Sequence, residues 1–155
     1  MMQNDPWQLI DSLQSVIISS LGDDGIPHTS YAPFVQNEQK FFISVSAMSA
    51  HSRNLLKMQK TSILFIEDES KSHNMFARKR VSFVVQITPV ERNSVTYNGT
   101  MTLFEDKFGE LANIYRSLPD FYMLALTPIS GRAVFGFGQA YDFKEGHFQT
   151  VAARR

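Results

Sequence analysis

The chain has 155 residues, 43% apolar and 19% charged with 13 phenylalanines, a composition sized for one domain with a real core and far from the aromatic-poor profile of disorder. Fifteen basic residues against fifteen acidic ones leave no broad electrostatic footprint for nucleic acid or an anionic membrane. The absence of cysteine removes disulfides, thiolate metal sites and a cysteine nucleophile, and no apolar run nears the roughly 20 residues of a membrane span, so the sequence reads as one soluble, cytoplasmic domain over residues 1–155.

In chain order, Asp5-Pro6 is a helix start, with a side-chain acceptor at the cap and a residue without an amide hydrogen at the first position. A short helix to about Leu13 follows. Ser15 to Leu21 and Ile26 to Val35 read as strands joined by the turn Gly22-Asp23-Asp24-Gly25. Lys40 to Ser46 alternates, with Phe41, Ile43 and Val45 on one face and Phe42, Ser44 and Ser46 on the other. A helix from Ser49 to Gln59, a strand from Thr61 to Glu67 and a polar loop from Asp68 to Asn74 come next. Arg80 to Val90 alternates again, with Val81, Phe83, Val85 and Ile87 inward, and Pro89 predicts an edge or a bulge.

From Asn93 to Leu118 the period turns helical, through Phe104, Phe108, Leu111, Tyr115 and Leu118, with Gly99 as a dividing point and Pro119 as the stop. Phe121 to Leu126 and Gly131 to Phe143, the latter broken at Gly136-Phe137-Gly138, complete the strands. Antiparallel strands with inserted rather than alternating helices predict a closed or split barrel with helices outside.

The chemistry concentrates where the third strand ends, in SVSAMSAHSRN from Ser44 to Asn54. Ser49 caps the following helix, whose first amides, with Arg53 and the hydroxyls of Ser46 and Ser52, make an anion site in waiting. An ordinary capped helix with a surface arginine fits the same spacing. His51 shares a stripe with Met48, Leu55 and Met58, at the edge of the core or beside a ligand. His28 and His73 stand in turn and loop contexts, and His147 in KEGHF is a solvated histidine or an axial ligand reaching a neighbouring subunit. Arg78-Lys79-Arg80 reads as a solvated cluster or as a second clamp on the anion that Arg53 meets. No zinc spacing, phosphate loop or nucleophile elbow is present, so no catalytic side chain and no metal is assigned.

Several ordered blocks give the chain a resemblance: SYAPFVQ (Ser30 to Gln36), HSRNL (His51 to Leu55), IEDES (Ile66 to Ser70), FARKR (Phe76 to Arg80), VER (Val90 to Arg92), FGE (Phe108 to Glu110), LPDF (Leu118 to Phe121) and GFGQAY (Gly136 to Tyr141). With these it resembles the split-barrel flavoproteins of the pyridoxamine phosphate oxidase superfamily, most closely their HugZ/HutZ-type haem-utilisation branch. The resemblance implies a mainly β fold, a six-stranded antiparallel split β-barrel of Greek-key type with helices packed outside. It also implies a homodimer whose cofactor clefts lie at the subunit interface and receive a small-molecule substrate.

By that resemblance the first expectation is a flavin mononucleotide (FMN)-binding protein acting as a flavin-dependent oxidoreductase. Its cofactor would meet Tyr31, Ala32 and Pro33 on the second strand, Ser44, Val45, Ser46, His51, Ser52 and Arg53 on the strand-to-helix segment, and Arg78 or Arg80. The alternatives are a haem-binding or haem-degrading protein and a non-catalytic cofactor-binding module. In the haem case Arg78 or Arg80 would meet a propionate, His147 would ligate iron and Asp120 would orient that histidine. After GFGQAY the chain runs on as DFKEGHFQTVAARR, which places Gly146-His147 earlier than the glycine-histidine pair of the haem-degrading relatives.

Overall fold

In the computed structural model, which describes residues 5–151, helix α1 (Pro6–Asp11) opens as its sequence dictates, the Asp5 carboxylate accepting from the Trp7 amide. Strands β1 (Ser15–Leu21) and β2 (Pro27–Asn37) form the expected hairpin, and β3 (Lys40–Ser46) returns from β2. That return is the two-residue turn Glu38-Gln39, at φ 52° and 62°, the primed geometry whose twist matches the strands it joins. Helix α2 (Ala50–Lys57), β4 (Lys60–Ile66), β5 (Arg80–Val90), α3 (Val95–Phe108), α4 (Ile114–Ser117), β6 (Phe121–Val134), β7 (Ala140–Lys144) and β8 (His147–Thr150) follow. Two short 3-10 turns, Glu69–Lys71 and Met75–Ala77, lie between β4 and β5.

The strands form one antiparallel sheet in the order β3-β2-β1-β4-β5-β6-β7-β8, and β3 also pairs with β6. Strands β1 to β6 therefore close on themselves as the six-stranded barrel, with β7 and β8 added beyond it. One edge of β6 runs along β5. Its other edge is divided, pairing β3 over Phe121 to Leu126 and β7 over Gly131 to Val134. That division splits the barrel.

Alternation fills the interior as the sequence predicts, with Val16, Ile18, Phe34, Phe41, Ile43, Val45, Phe65, Val81, Phe83 and Val85 all buried there. A second core lies outside the barrel wall. There α3 lays Tyr97, Met101 and Phe104 over Val35, Phe42, Met123 and Ala125, so Phe42 is buried although it faces away from Phe41. Trp7 joins the ends of the fold, its ring centroid 6.0 Å from Phe83 and 5.7 Å from Phe148.

Three expectations are corrected. Helix α3 runs through Gly99 and ends at Gly109, which adopts φ 83° and donates its amide to the Glu105 carbonyl. Burial of Tyr97, Met101 and Phe104 outweighs the roughly 1 kcal/mol that an interior glycine costs, and beyond Gly109 the expected stripe breaks, leaving Leu111 75% exposed. The last strands divide differently: β6 continues through Pro128 because the register slips there, Pro128 facing Val85 and Ser130 facing Val84. Ile129 is the extra residue of a bulge, where a strand tolerates proline. Finally, the strands do not end at Phe143, since β8 follows with His147 as its first residue. Glu145 and Gly146, at φ 51° and 84°, make the two-residue turn of a β7–β8 hairpin in which Lys144 faces His147.

Candidate cofactor site

The serines that interrupt β3 work first on their own backbone. Ser46 Oγ accepts from the Met48 amide at 3.2 Å, while its carbonyl accepts from the Ser49 amide and hydroxyl at 3.1 and 3.0 Å. Ser49 caps α2, accepting from the Ser52 amide, and its hydroxyl lies 2.5 Å from that of Ser52. Ser52 is fully buried. The chain thus uses Ser46, Ser49 and Ser52 to turn a core strand into a helix without stranding polar atoms, and among them Ser46 and Ser49 stay half-buried.

Helix α2 covers the barrel mouth at the β1–β2 hairpin. His51 Nδ1 lies 2.6 Å from Ser30 Oγ, and Asn54 Nδ2 donates to the buried Ser20 hydroxyl at 3.2 Å. Partial burial pushes the His51 imidazole pKa down, favouring its neutral form. Arg53 is exposed, donates to the Met48 carbonyl at 3.0 Å, and lines a shallow cleft with Asp23, Asp24, His28 and Lys57. Of the strand candidates, Ala32 and Val45 are buried in the core, Pro33 and Ser44 are half-buried, and Tyr31 stands 68% exposed on the outer barrel face.

The second arginine group lies elsewhere. Arg78 Nε donates to the Glu67 carbonyl at 2.6 Å and Arg80 donates to the Arg78 carbonyl at 2.9 Å. Arg78 and Lys71 border a cleft of about 510 Å³ floored by Leu9, Leu13, Ile17, Leu64 and Ile66, with Glu67 and Asp68 on its rim. The Ser70 hydroxyl and amide hold the Asp68 carboxyl below its ordinary pKa. Arg53 borders the turn after Leu21, whereas Arg78 shares its cleft with Ser15. At about 3.3 Å per residue the length of β1 puts the two roughly 20 Å apart, so one chain does not bring them to a single anion.

Asp120 and His147 are separated too. The Asp120 carbonyl accepts from the Ala47 amide at 2.8 Å, placing the LPDF turn against the strand-to-helix segment. His147 is exposed, past the β7–β8 turn, near the part of β6 that follows the bulge. Roughly 30 Å of strand lies between them. A residue outside the expected set holds the LPDF turn: Arg92 donates to the carbonyls of Arg116 at 2.6 Å, Leu118 at 2.7 Å and Phe121 at 3.4 Å, and lies over the Tyr97 ring at 5.7 Å. Its only sequence signal is the VER block.

Comparison with known proteins decides the family. The model of the pyridoxamine 5'-phosphate oxidase family matches residues 8–135. This chain belongs to that family. Within it, the chain is similar to haem oxygenase HutZ of Vibrio cholerae, 39% identical over 125 residues that span 81% of this chain and 71% of that protein. Among solved structures, HutZ from Vibrio cholerae, described as a haem storage protein, superposes with a TM-score of 0.76 at 32% identity over 82% of this chain and 91% of that one. Campylobacter jejuni ChuZ gives a TM-score of 0.86 at 32% identity, covering 97% of this chain but 64% of its own length. Among the described residues no helix is long and apolar enough to cross a membrane.

Proposed function

We propose that this member of the pyridoxamine 5'-phosphate oxidase family binds haem, and does so as a homodimer with its cofactor clefts at the subunit interface. The observation that carries the reading is the cleft beside Arg78. Haem is flat, largely apolar and carries two carboxylates, so it asks for an apolar floor with cations at the rim. The floor of Leu9, Leu13, Ile17, Leu64 and Ile66 supplies the apolar part, and Lys71 and Arg78 supply the cations on a rim that they share with Glu67 and Asp68. The similarity to HutZ supports the same reading, and the flavin expectation gives way to it.

In this reading Arg78 and Lys71 hold the propionates, with Arg80 beside them through the Arg78 carbonyl. The apolar floor excludes water from the ring, and Tyr31, on the outer face opposite Ile17, extends that surface toward the second subunit. Haem supplies a redox-active iron when bound. Whether the chain degrades haem or carries it is read by adding a reductant in air: degradation bleaches the Soret band, carriage leaves it.

The test is a haem titration of the purified chain, followed by absorption and by sedimentation. A saturable Soret band at one haem per chain, on a species of dimer mass, is expected. Replacing both Arg78 and Arg80 by alanine should weaken binding about ten- to hundredfold, the loss of one or two charge-assisted contacts. Flavin absorption in the purified protein without a Soret response, or double-variant affinity equal to wild type, would overturn the reading.

A further inference from the structure

The cations on the rim of the Arg78 cleft stand beside three acids in a row, Glu67-Asp68-Glu69, and each acid is used differently. Glu67 serves through its backbone: its amide donates to the Lys79 carbonyl at 2.9 Å, and its own carbonyl accepts from Arg78 Nε at 2.6 Å. Asp68 is spent on its own turn, its carboxylate accepting from the Ser70 amide at 2.8 Å and the Ser70 hydroxyl at 2.6 Å. That cap opens the 3-10 turn Glu69–Lys71, which sets the Glu69 carboxylate 3.7 Å from Arg78 Nη1.

Arg78 is thus held on two sides by contacts of unequal quality. The Nε bond to the Glu67 carbonyl is short and fixes the plane of the guanidinium, a rigid fork whose other donors remain to be used. The contact with Glu69 is longer than the roughly 2.7–2.9 Å of a charge-assisted hydrogen bond. The Arg78 side chain is only 22% exposed but that of Glu69 is 75% exposed, and a pair with one member so open to water contributes little. Displacing Glu69 therefore leaves Arg78 oriented and frees the edge of the fork that an incoming carboxylate would take.

We propose that Glu69 is a specificity-determining residue of this cleft, a built-in carboxylate that occupies the Nη1 side of Arg78 in the free chain and is replaced there by a propionate of haem. The inference rests on the haem-binding reading above. One carboxylate replaces another at the same cation, so the exchange favours the ligand only when its carboxylate reaches bonding distance of the fork, where Glu69 stands off at 3.7 Å. A flat apolar molecule without a carboxylate leaves Glu69 in place and gains nothing from Arg78, which is how the cleft would tell the two apart.

Haem is titrated into the full chain, Glu69→Gln, Arg78→Ala and the double variant, and the series is repeated with haem dimethyl ester, each followed by the Soret band. Glu69→Gln, which keeps the side-chain length and loses the charge, should bind haem about two- to fivefold more tightly than wild type, the contribution of an exposed ion pair. That gain should vanish in the Arg78→Ala background, as a double-mutant cycle requires of a direct pair, and with the dimethyl ester. The urea midpoint of Glu69→Gln should equal that of wild type. Haem affinity of Glu69→Gln equal to or below wild type overturns the inference and leaves the haem reading standing. A gain that survives in the Arg78→Ala background, or with the ester, does the same. A wild-type chain with no Soret band overturns both.

Discussion

Arg92→Ala should be a damaging substitution at a half-buried position of this fold, because one guanidinium satisfies three carbonyls of the turn that runs from Arg116 to Phe121. It takes the Arg116 and Leu118 carbonyls at 2.6 and 2.7 Å and reaches that of Phe121 at 3.4 Å. A hydrogen bond to a charged group contributes about 1.5–3 kcal/mol, and stacking over Tyr97 adds roughly 0.5–1 kcal/mol. Water can reach part of this half-buried site, so the low end for the two short bonds is appropriate, about 3 kcal/mol in all. At about 2–4 °C per kcal/mol for a chain of this size the midpoint falls by about 10 °C. Trp7 is the single tryptophan and packs on Phe83 in the barrel, so urea unfolding followed by its fluorescence reads the loss directly. Arg92→Lys, a point charge able to meet one carbonyl at a time, should recover only about 1 kcal/mol. A loss below about 1 kcal/mol in Arg92→Ala would refute the clamp, and so would full rescue by lysine.

Two further outcomes follow from single sites. An added Cβ at Gly131 would lie 2.5 Å from the Ser82 carbonyl oxygen and 2.7 Å from Phe83 Cδ1, and backbone cannot step aside. Gly131→Ala should therefore cost about 2–3 kcal/mol, seen as a lower urea midpoint; an unchanged midpoint would contradict the packing described here. The His51 pKa lies below the ordinary 6.5 because of burial, so the unfolded chain binds more protons between the two values and stability falls as pH drops through that range. Comparing wild type with His51→Gln from pH 7.5 to 5.5 should show wild type losing more, and parallel curves would remove the effect.

What the sequence made legible was whatever a single face or a single turn determines. Phe41, Ile43 and Val45 announced the barrel interior, and Pro89 announced an edge: β4 last pairs β5 at Gln86, leaving Pro89 bound only to β6. The second core was hidden because Phe42 carries no label saying that α3 will cover it. Strand β6 was hidden because proline removes a donor, and only the partner's register shows that Ile129 absorbs the cost. The β7–β8 hairpin could have been found from the spacing of Phe143 and Phe148 about Glu145-Gly146, since both rings pack with Trp7. For the site, the serines were legible as polar but their bonds to their own backbone were not, since a hydroxyl that caps a helix and one that meets a phosphate look identical in sequence. Distance was the missing quantity: nothing in the spacing shows that Arg53 and Arg78 lie toward opposite ends of β1.

The ring of Trp7 has a consequence for how the molecule is made. It touches Phe41 and Phe83 from the barrel and Phe143 and Phe148 from the closing hairpin. During synthesis α1 therefore waits with half of the Trp7 aromatic contacts absent until β8 has left the ribosome. Contacts between the two ends of a sequence carry the largest loop-closure cost and form late. During that interval the part of the ring that Phe143 and Phe148 will meet stays uncovered, an apolar patch open to wrong partners until the closing hairpin docks.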